Sequence, residues 1–150
     1  MADEAMDRLF GEVDLRLSQQ VSRADALGTR SGVMVAVVAV AASVLAGRSI
    51  DSDGRPWFIT SVVLLGVSVL TGLLVLCMAR LSFGPEATQV AIWAGAAPTV
   101  NPVSALFAAK VSSIEANESK LAVVEVLFYS QALTAGLASA SALYSVGRFG

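Results

Sequence analysis

Two polar side chains stand in a stretch that is otherwise apolar, and they are the first candidates for chemistry. In "SIEANESKLAVVEVLFYSQALTAGL", Ser113 to Leu137, residues Glu115, Glu118 and Lys120 open the segment as a water-facing helix would, and Glu125 and Gln131 lie inside the apolar part that follows. A carboxylate in hydrocarbon costs roughly 3 kcal/mol on insertion scales, so it needs water or a partner. Three roles are open to Glu125. It lies five residues past Lys120, so the hydrated headgroup zone is one. With Gln131 it can line an assembly interface or a pore. A proton relay is the third, but the sequence offers no second intramembrane acid or histidine to pass the proton on.

Other chemistry has little to build on. Nucleophilic catalysis wants a base beside the nucleophile. There is no histidine, and the one cysteine, Cys77, lies in an apolar run where it reads as a small filler. One cysteine allows no disulfide within the chain, a zinc site of His and Cys is excluded, and no glycine-rich phosphate loop is present. No enzyme activity, cofactor or metal is expected.

The elements that must position Glu125 and Gln131 follow from composition. The 150 residues are 55% hydrophobic and 15% charged, where a soluble domain is about a quarter charged. That predicts an all-α membrane protein. The net charge of −2 and the absence of a basic run argue against nucleic acid as a partner; the lipid bilayer is the expected one. "SGVMVAVVAVAASVLAG", residues 31–47, has no charge and is about 26 Å long as a helix. It begins some thirty residues in, behind an acidic amphipathic stretch, unlike a cleaved signal peptide. "WFITSVVLLGVSVLTGLLVLCM", residues 57–78, reaches about 33 Å, with Trp57 placed as an interfacial anchor. Residues 121–146 form a third run, long enough to span with tilt. The whole chain, 1–150, reads as a single membrane domain with three spans.

Two further segments read as helical stalks. In residues 1–30, Met6, Phe10, Val13, Leu17, Val21, Ala24 and Gly28 recur at steps of three and four on one face. Asp3, Glu4 and Asp7 favour its first turn, and one continuous helix from about Asp3 to Gly47 is expected. "GRSIDSDGRP", 47–56, reads as a turn. The connection 80–120 is divided by Pro85, Pro98 and Pro102; Asn101 followed by Pro102 starts a helix whose stripe is Val103, Phe107, Val111, Ile114, Glu118 and Leu121. These apolar stripes want a partner, either each other or a neighbouring subunit, so a homo-oligomer is expected.

Orientation follows the basic residues. Arg8, Arg16, Arg23 and Arg30 precede the first span, and Arg80, Lys110 and Lys120 lie between the second and third, against Arg48, Arg55 and Arg148 on the other side. The bias predicts an N-terminus and stalks in the cytoplasm. Within the third span, Ala132 and Gly136 fall within about 20° of Glu125 and Ala140 within about 60°. Small residues at steps of four let membrane helices approach closely. Gln131, Ala135, Ala138 and Ala142 make a second such face, and span one carries Gly28, Gly32 and Ala36 on one line.

Three stretches carry a resemblance to a family. "RADALGTRSGVMVAVVAVAASVLAG" looks like the entry to the first membrane helix of small bacterial transmembrane antiphage effectors of the Pycsar and SLATT type, with Ala24 and Asp25 matching and Leu27 standing where that family commonly has lysine. "ARLSFGP" is similar to its exit from the second span. The Ser113 to Leu137 stretch resembles its stalk into the last membrane helix, with Asn117 and Lys120 at the matching places. The resemblance implies a self-associating inner-membrane protein that damages the membrane once infection is sensed. Some members are thought to sense a cyclic nucleotide; a partner sensor protein is the other source of a trigger. Arg80, Lys110 and Lys120 are then candidate phosphate contacts at a subunit interface, or simply orientation signals. A non-lytic scaffold or accessory subunit of a membrane complex, and a holin-like phage protein, are the rival readings.

Overall fold

The computed structural model describes residues 2–46, 54–81 and 102–149. They form three α-helices: α1 Ala2–Ala46, α2 Arg55–Met78 and α3 Pro102–Phe149. Each is long and apolar enough to cross a membrane, and the protein is an all-α, multi-pass membrane protein. α1 is the continuous helix that the unbroken apolar period demands. Of the expected turn over 47–56, Arg55 and Pro56 already belong to α2; residues 47–53, Pro85, Pro98 and the Asn101 cap lie outside the described residues.

The reason α2 begins where it does is local. Gly54 takes the N-cap position, Pro56 sits in the first turn where its missing N–H leaves nothing unsatisfied, and Phe58 N–H donates to the Gly54 carbonyl at 3.1 Å. Twenty-two residues without a charge then leave nothing to stop the helix until Met78. Three of its four hydroxyls turn back on their own helix: Thr60 donates to the Pro56 carbonyl, Ser61 to Trp57 and Thr71 to Val67. In lipid, where no water can take a hydroxyl proton, this is the economical arrangement.

The chain divides into two compact units. The first contains the N-terminal parts of α1 (to Ala24) and α3 (to Ala122). These two stretches run parallel, because their contacts advance together: Phe10 meets Phe107 edge to face at 5.5 Å, Lys110 bridges to Asp14, and Gln20 donates to the Ile114 carbonyl at 3.3 Å. Val13, Leu17 and Ile114 form its buried seam, with Phe107 and Val111 packed against them.

The second unit contains α2 with the remainders of α1 and α3. Here α1 and α3 again run parallel and α2 runs against both. Val38, Leu45, Leu65 and Ala138 form its core, flanked by Ala42, Phe58, Leu64, Val69, Ala135 and Ala142. Buried positions of this unit step Val124, Gln131, Ala138, Ser145 on α3 and Ser61, Leu65, Ser68, Gly72, Val75 on α2. Steps of three, four and seven are the heptad period of helices that wind about one another.

Candidate functional site

The heptad seam of the second unit has a polar centre. Gln131 is fully buried there. Its amide nitrogen donates to the Ser31 carbonyl at 3.2 Å, and its amide oxygen accepts from the Ser31 hydroxyl at 2.6 Å. The Gly72 carbonyl stands 3.2 Å from the same hydroxyl, and Ser68 donates to the Gln131 carbonyl at 3.3 Å. All three helices therefore meet at one clasp: Ser31 from α1, Ser68 and Gly72 from α2, Gln131 from α3. Heptad spacing supplies each side chain, since each occupies a seam position of its helix.

Gly72 makes the clasp possible. A Cβ there would lie 2.5 Å from Gln131 Nε2 and 2.5 Å from Val35 Cγ2. No side chain fits without moving the amide. In hydrocarbon an unmatched amide costs several kcal/mol, so bringing backbone, hydroxyl and amide together fixes one register of three helices.

Glu125 takes a different place. α1 and α3 run parallel with Ser31 opposite Gln131; six residues earlier on each helix, Glu125 stands level with Asp25. The Gly28 backbone already faces Ala79, a Cβ on Gly28 lying 3.7 Å from the Ala79 Cβ, where α2 has just ended. Half-buried Glu125 is thus at the rim of the three-helix section rather than in its centre. The two polar residues that the sequence groups together lie about 9 Å apart along the helix axis.

The small-residue row lies mostly outside the seam. Ala36, Gly136 and Ala140 are exposed, Gly32 and Ala132 are half-buried, and a Cβ on Gly32 or Gly136 would meet nothing within 4 Å. The helices of one chain pack through Gln131, Ala135, Ala138, Ala142 and Ser145 instead. The row through Gly136 is left facing outward.

The basic candidates do not converge. Lys110 is engaged with Asp14 at 2.5 Å and its ammonium lies 5.7 Å from the centre of the Phe10 ring. Lys120, ten residues further along α3, is about 15 Å away on the axis and exposed. Arg80 is exposed just past α2. In the first unit one open cleft of ≈ 320 Å³ is lined by Arg16, Gln19, Gln20, Arg23, Glu118 and Leu121, and another of ≈ 340 Å³ lies along Leu9, Val13, Val111 and Ile114.

Sequence reading found Gln131 but missed its partners. Ser31, Ser68 and Gly72 stand in the sequence as ordinary small residues of apolar runs. Their spacing in the heptad frame was the available signal: counted in sevens and fours, Ser61, Ser68 and Gly72 fall on one line of α2.

These features define a multi-pass membrane bundle closed by a buried polar clasp. The chain has no match among protein-family models, curated proteins or solved structures.

Proposed function

We propose that the protein is a self-associating inner-membrane effector of bacterial antiphage defence, similar to the Pycsar and SLATT type, that disrupts membrane integrity when triggered. The observation that carries this reading is the use made of α1 and α3. One part of each builds a bundle with α2, and another part builds a charged parallel coil, on helices that run unbroken from one unit into the other. A triggered membrane protein needs a part that receives and a part that acts. The basic residues orient the coil toward the cytoplasm, where a signal of infection arises.

The closed seam favours a second reading. Val38, Leu45, Leu65, Ala138 and the clasp fill the space between the helices, so a conduit needs several copies or an opened chain. A protein that stays as it is folded serves as a non-lytic scaffold or accessory subunit. Depolarisation separates the two. Cells expressing the protein, with its genetic neighbours and phage present, are stained with a potential-sensitive dye. The effector reading expects depolarisation before lysis. Unchanged potential under all these conditions removes it and leaves the scaffold.

A further inference from the structure

We infer that the clasp is a switch in which Gln131 exchanges its partner: in the resting chain it holds Ser31, and in the assembled form it holds the same residue of a second copy. The inference deepens the effector reading and rests on it.

The physical case starts from what holds membrane helices together. Lipid tails are as apolar as leucine, so apolar seams gain little from excluding lipid, and packing and interhelical hydrogen bonds decide association. In the second unit three of the interhelical hydrogen bonds involve Gln131, and a further one joins the Ser31 hydroxyl to the Gly72 carbonyl. Gln131 makes two with Ser31 through its side chain and accepts one from Ser68 through its backbone. Parting α1 from α3 here leaves a buried primary amide facing hydrocarbon, with one acceptor and two donor protons to satisfy.

A second Gln131 meets that need without any new residue. Two primary amides pair face to face, each giving one N–H to the other's oxygen. The exchange therefore conserves two side-chain hydrogen bonds per Gln131, one given and one accepted. The backbone groups it releases remain in their own helices. Ser31, once freed, has the same remedy as many other hydroxyls in these helices, which donate to the carbonyl three or four residues earlier, as Ser130 does to Val126 and Ser139 to Ala135. Its cost of release is small. Copies anchored in one bilayer with the same orientation also present Gln131 at the same depth, which makes the pairing self-matching.

Gly72 sets the balance. Its missing side chain is what lets the amide reach Ser31. A methyl there falls 2.5 Å from Gln131 Nε2 and 2.5 Å from Val35 Cγ2, so it displaces the resting amide and crowds Val35 while leaving Gln131 itself intact. This separates the two roles of the clasp, because some substitutions break the resting contact alone and one breaks both.

The test uses four variants of the full chain, purified in mild detergent and also expressed in cells. Gly72→Ala and Ser31→Ala weaken the resting contact and keep Gln131. Gln131→Leu removes both contacts. Ser139→Ala deletes a hydroxyl on the exposed face of α3 as a control. Light scattering at fixed protein concentration reads the oligomeric fraction. Gly72→Ala and Ser31→Ala are expected to raise the association constant roughly 3- to 20-fold, the worth of one interhelical hydrogen bond in a membrane. Gln131→Leu is expected to lower it below wild type, and Ser139→Ala to leave it unchanged. A clasp that only stabilises the fold gives all three seam variants the same direction of change, and that outcome overturns the switch. So does a Gln131→Leu protein as associated as Gly72→Ala. Depolarisation is read in parallel: Gly72→Ala is expected to depolarise cells without a trigger. If scattering follows the expected order while no variant and no triggered wild type depolarises, the switch stands and the effector reading falls.

Discussion

Trp57 meets Tyr144 edge to face, with ring centroids 5.0 Å apart. One residue is in the first turn of α2 and the other is near the end of α3, so the pair marks one rim of the bundle. Gly28 against Ala79 marks the other. From Trp57 to Ala79 the helix rises about 33 Å, close to a bilayer core of about 30 Å. Amphipathic rings settle at the headgroup level; Ser52 precedes Trp57 by five residues in the sequence and Phe149 follows Tyr144 by five, so both positions test that side. Single cysteines at these two positions, in a Cys77→Ser background, are expected to label from outside intact cells, and one at Ser18 is not. Labelling at Ser18 with protection at Ser52 reverses the orientation, and labelling at both Ser18 and Phe149 removes a span.

Two neighbouring small residues of α3 should respond in opposite ways to the same substitution. Ala138 is fully buried among Val38, Leu45 and Leu65. Gly136 is exposed with open space around it. Ala138→Leu overfills the seam and is expected to cost about 1–3 kcal/mol of bundle stability. Gly136→Leu is expected to leave the melting temperature in detergent nearly unchanged and to weaken self-association, because a large side chain keeps a second helix at a distance. Equal loss of stability in both variants would place Gly136 in the seam after all.

Much of the fold is legible in the sequence because charge and apolar length are legible. The run without charge from Trp57 to Met78 lies wholly in α2, and the unbroken period of the N-terminal stretch became the single helix α1. The seam is only partly legible. Val21 and Glu118 continue the step-of-four rows, but the structure buries Asn117 in place of Glu118 and takes Gln20 into contact with Ile114. A search for apolar periodicity passes over polar residues, and these seams use them. The geometry of winding accounts for the rest. Rows counted in fours drift by about 40° per step and rows counted in sevens by about −20°, so over several turns the heptad row holds its bearing better. Gln131, Ala138 and Ser145 follow sevens and stay buried; Ala132, Gly136 and Ala140 follow fours and move out to the surface. The clasp was not legible at all as a clasp, because nothing in a serine or a glycine names its partner a hundred residues away.

The coil of the first unit is expected to depend on its seam and hardly on its ion pair. Leu17 is 2% exposed. Leu17→Ala removes buried methyl groups and leaves a cavity, for an expected loss of about 2–4 kcal/mol. The Asp14 side chain is 56% exposed although its partner Lys110 is 19% exposed. Water screens such a pair, so Asp14→Asn is expected to cost less than about 1 kcal/mol. Limited proteolysis of the purified protein, followed by mapping of cuts in α1, reads both. Faster cutting in Asp14→Asn than in Leu17→Ala contradicts the ranking.

Glu125 offers the last test, because its depth decides among three roles. Counting back from the Ser31–Gln131 contact puts it level with Asp25, beyond the end of α2 where Gly28 faces Ala79. A carboxylate that headgroups and water reach escapes the desolvation that makes an intramembrane acid costly. The expected result is therefore a quiet residue. Glu125→Gln removes the charge and keeps the shape; Glu125→Leu removes both charge and hydrogen bonding. Both proteins should accumulate to near wild-type levels, and wherever the wild type depolarises cells both should do so to the same extent. A pore lined by Glu125 gives a graded result instead, with Leu suppressing depolarisation more than Gln. A proton relay gives two equally dead variants, since neither side chain carries a proton at a carboxyl. Dye-reported depolarisation at matched protein levels distinguishes all three, and either of the last two patterns would move Glu125 from the rim of the bundle into its working part.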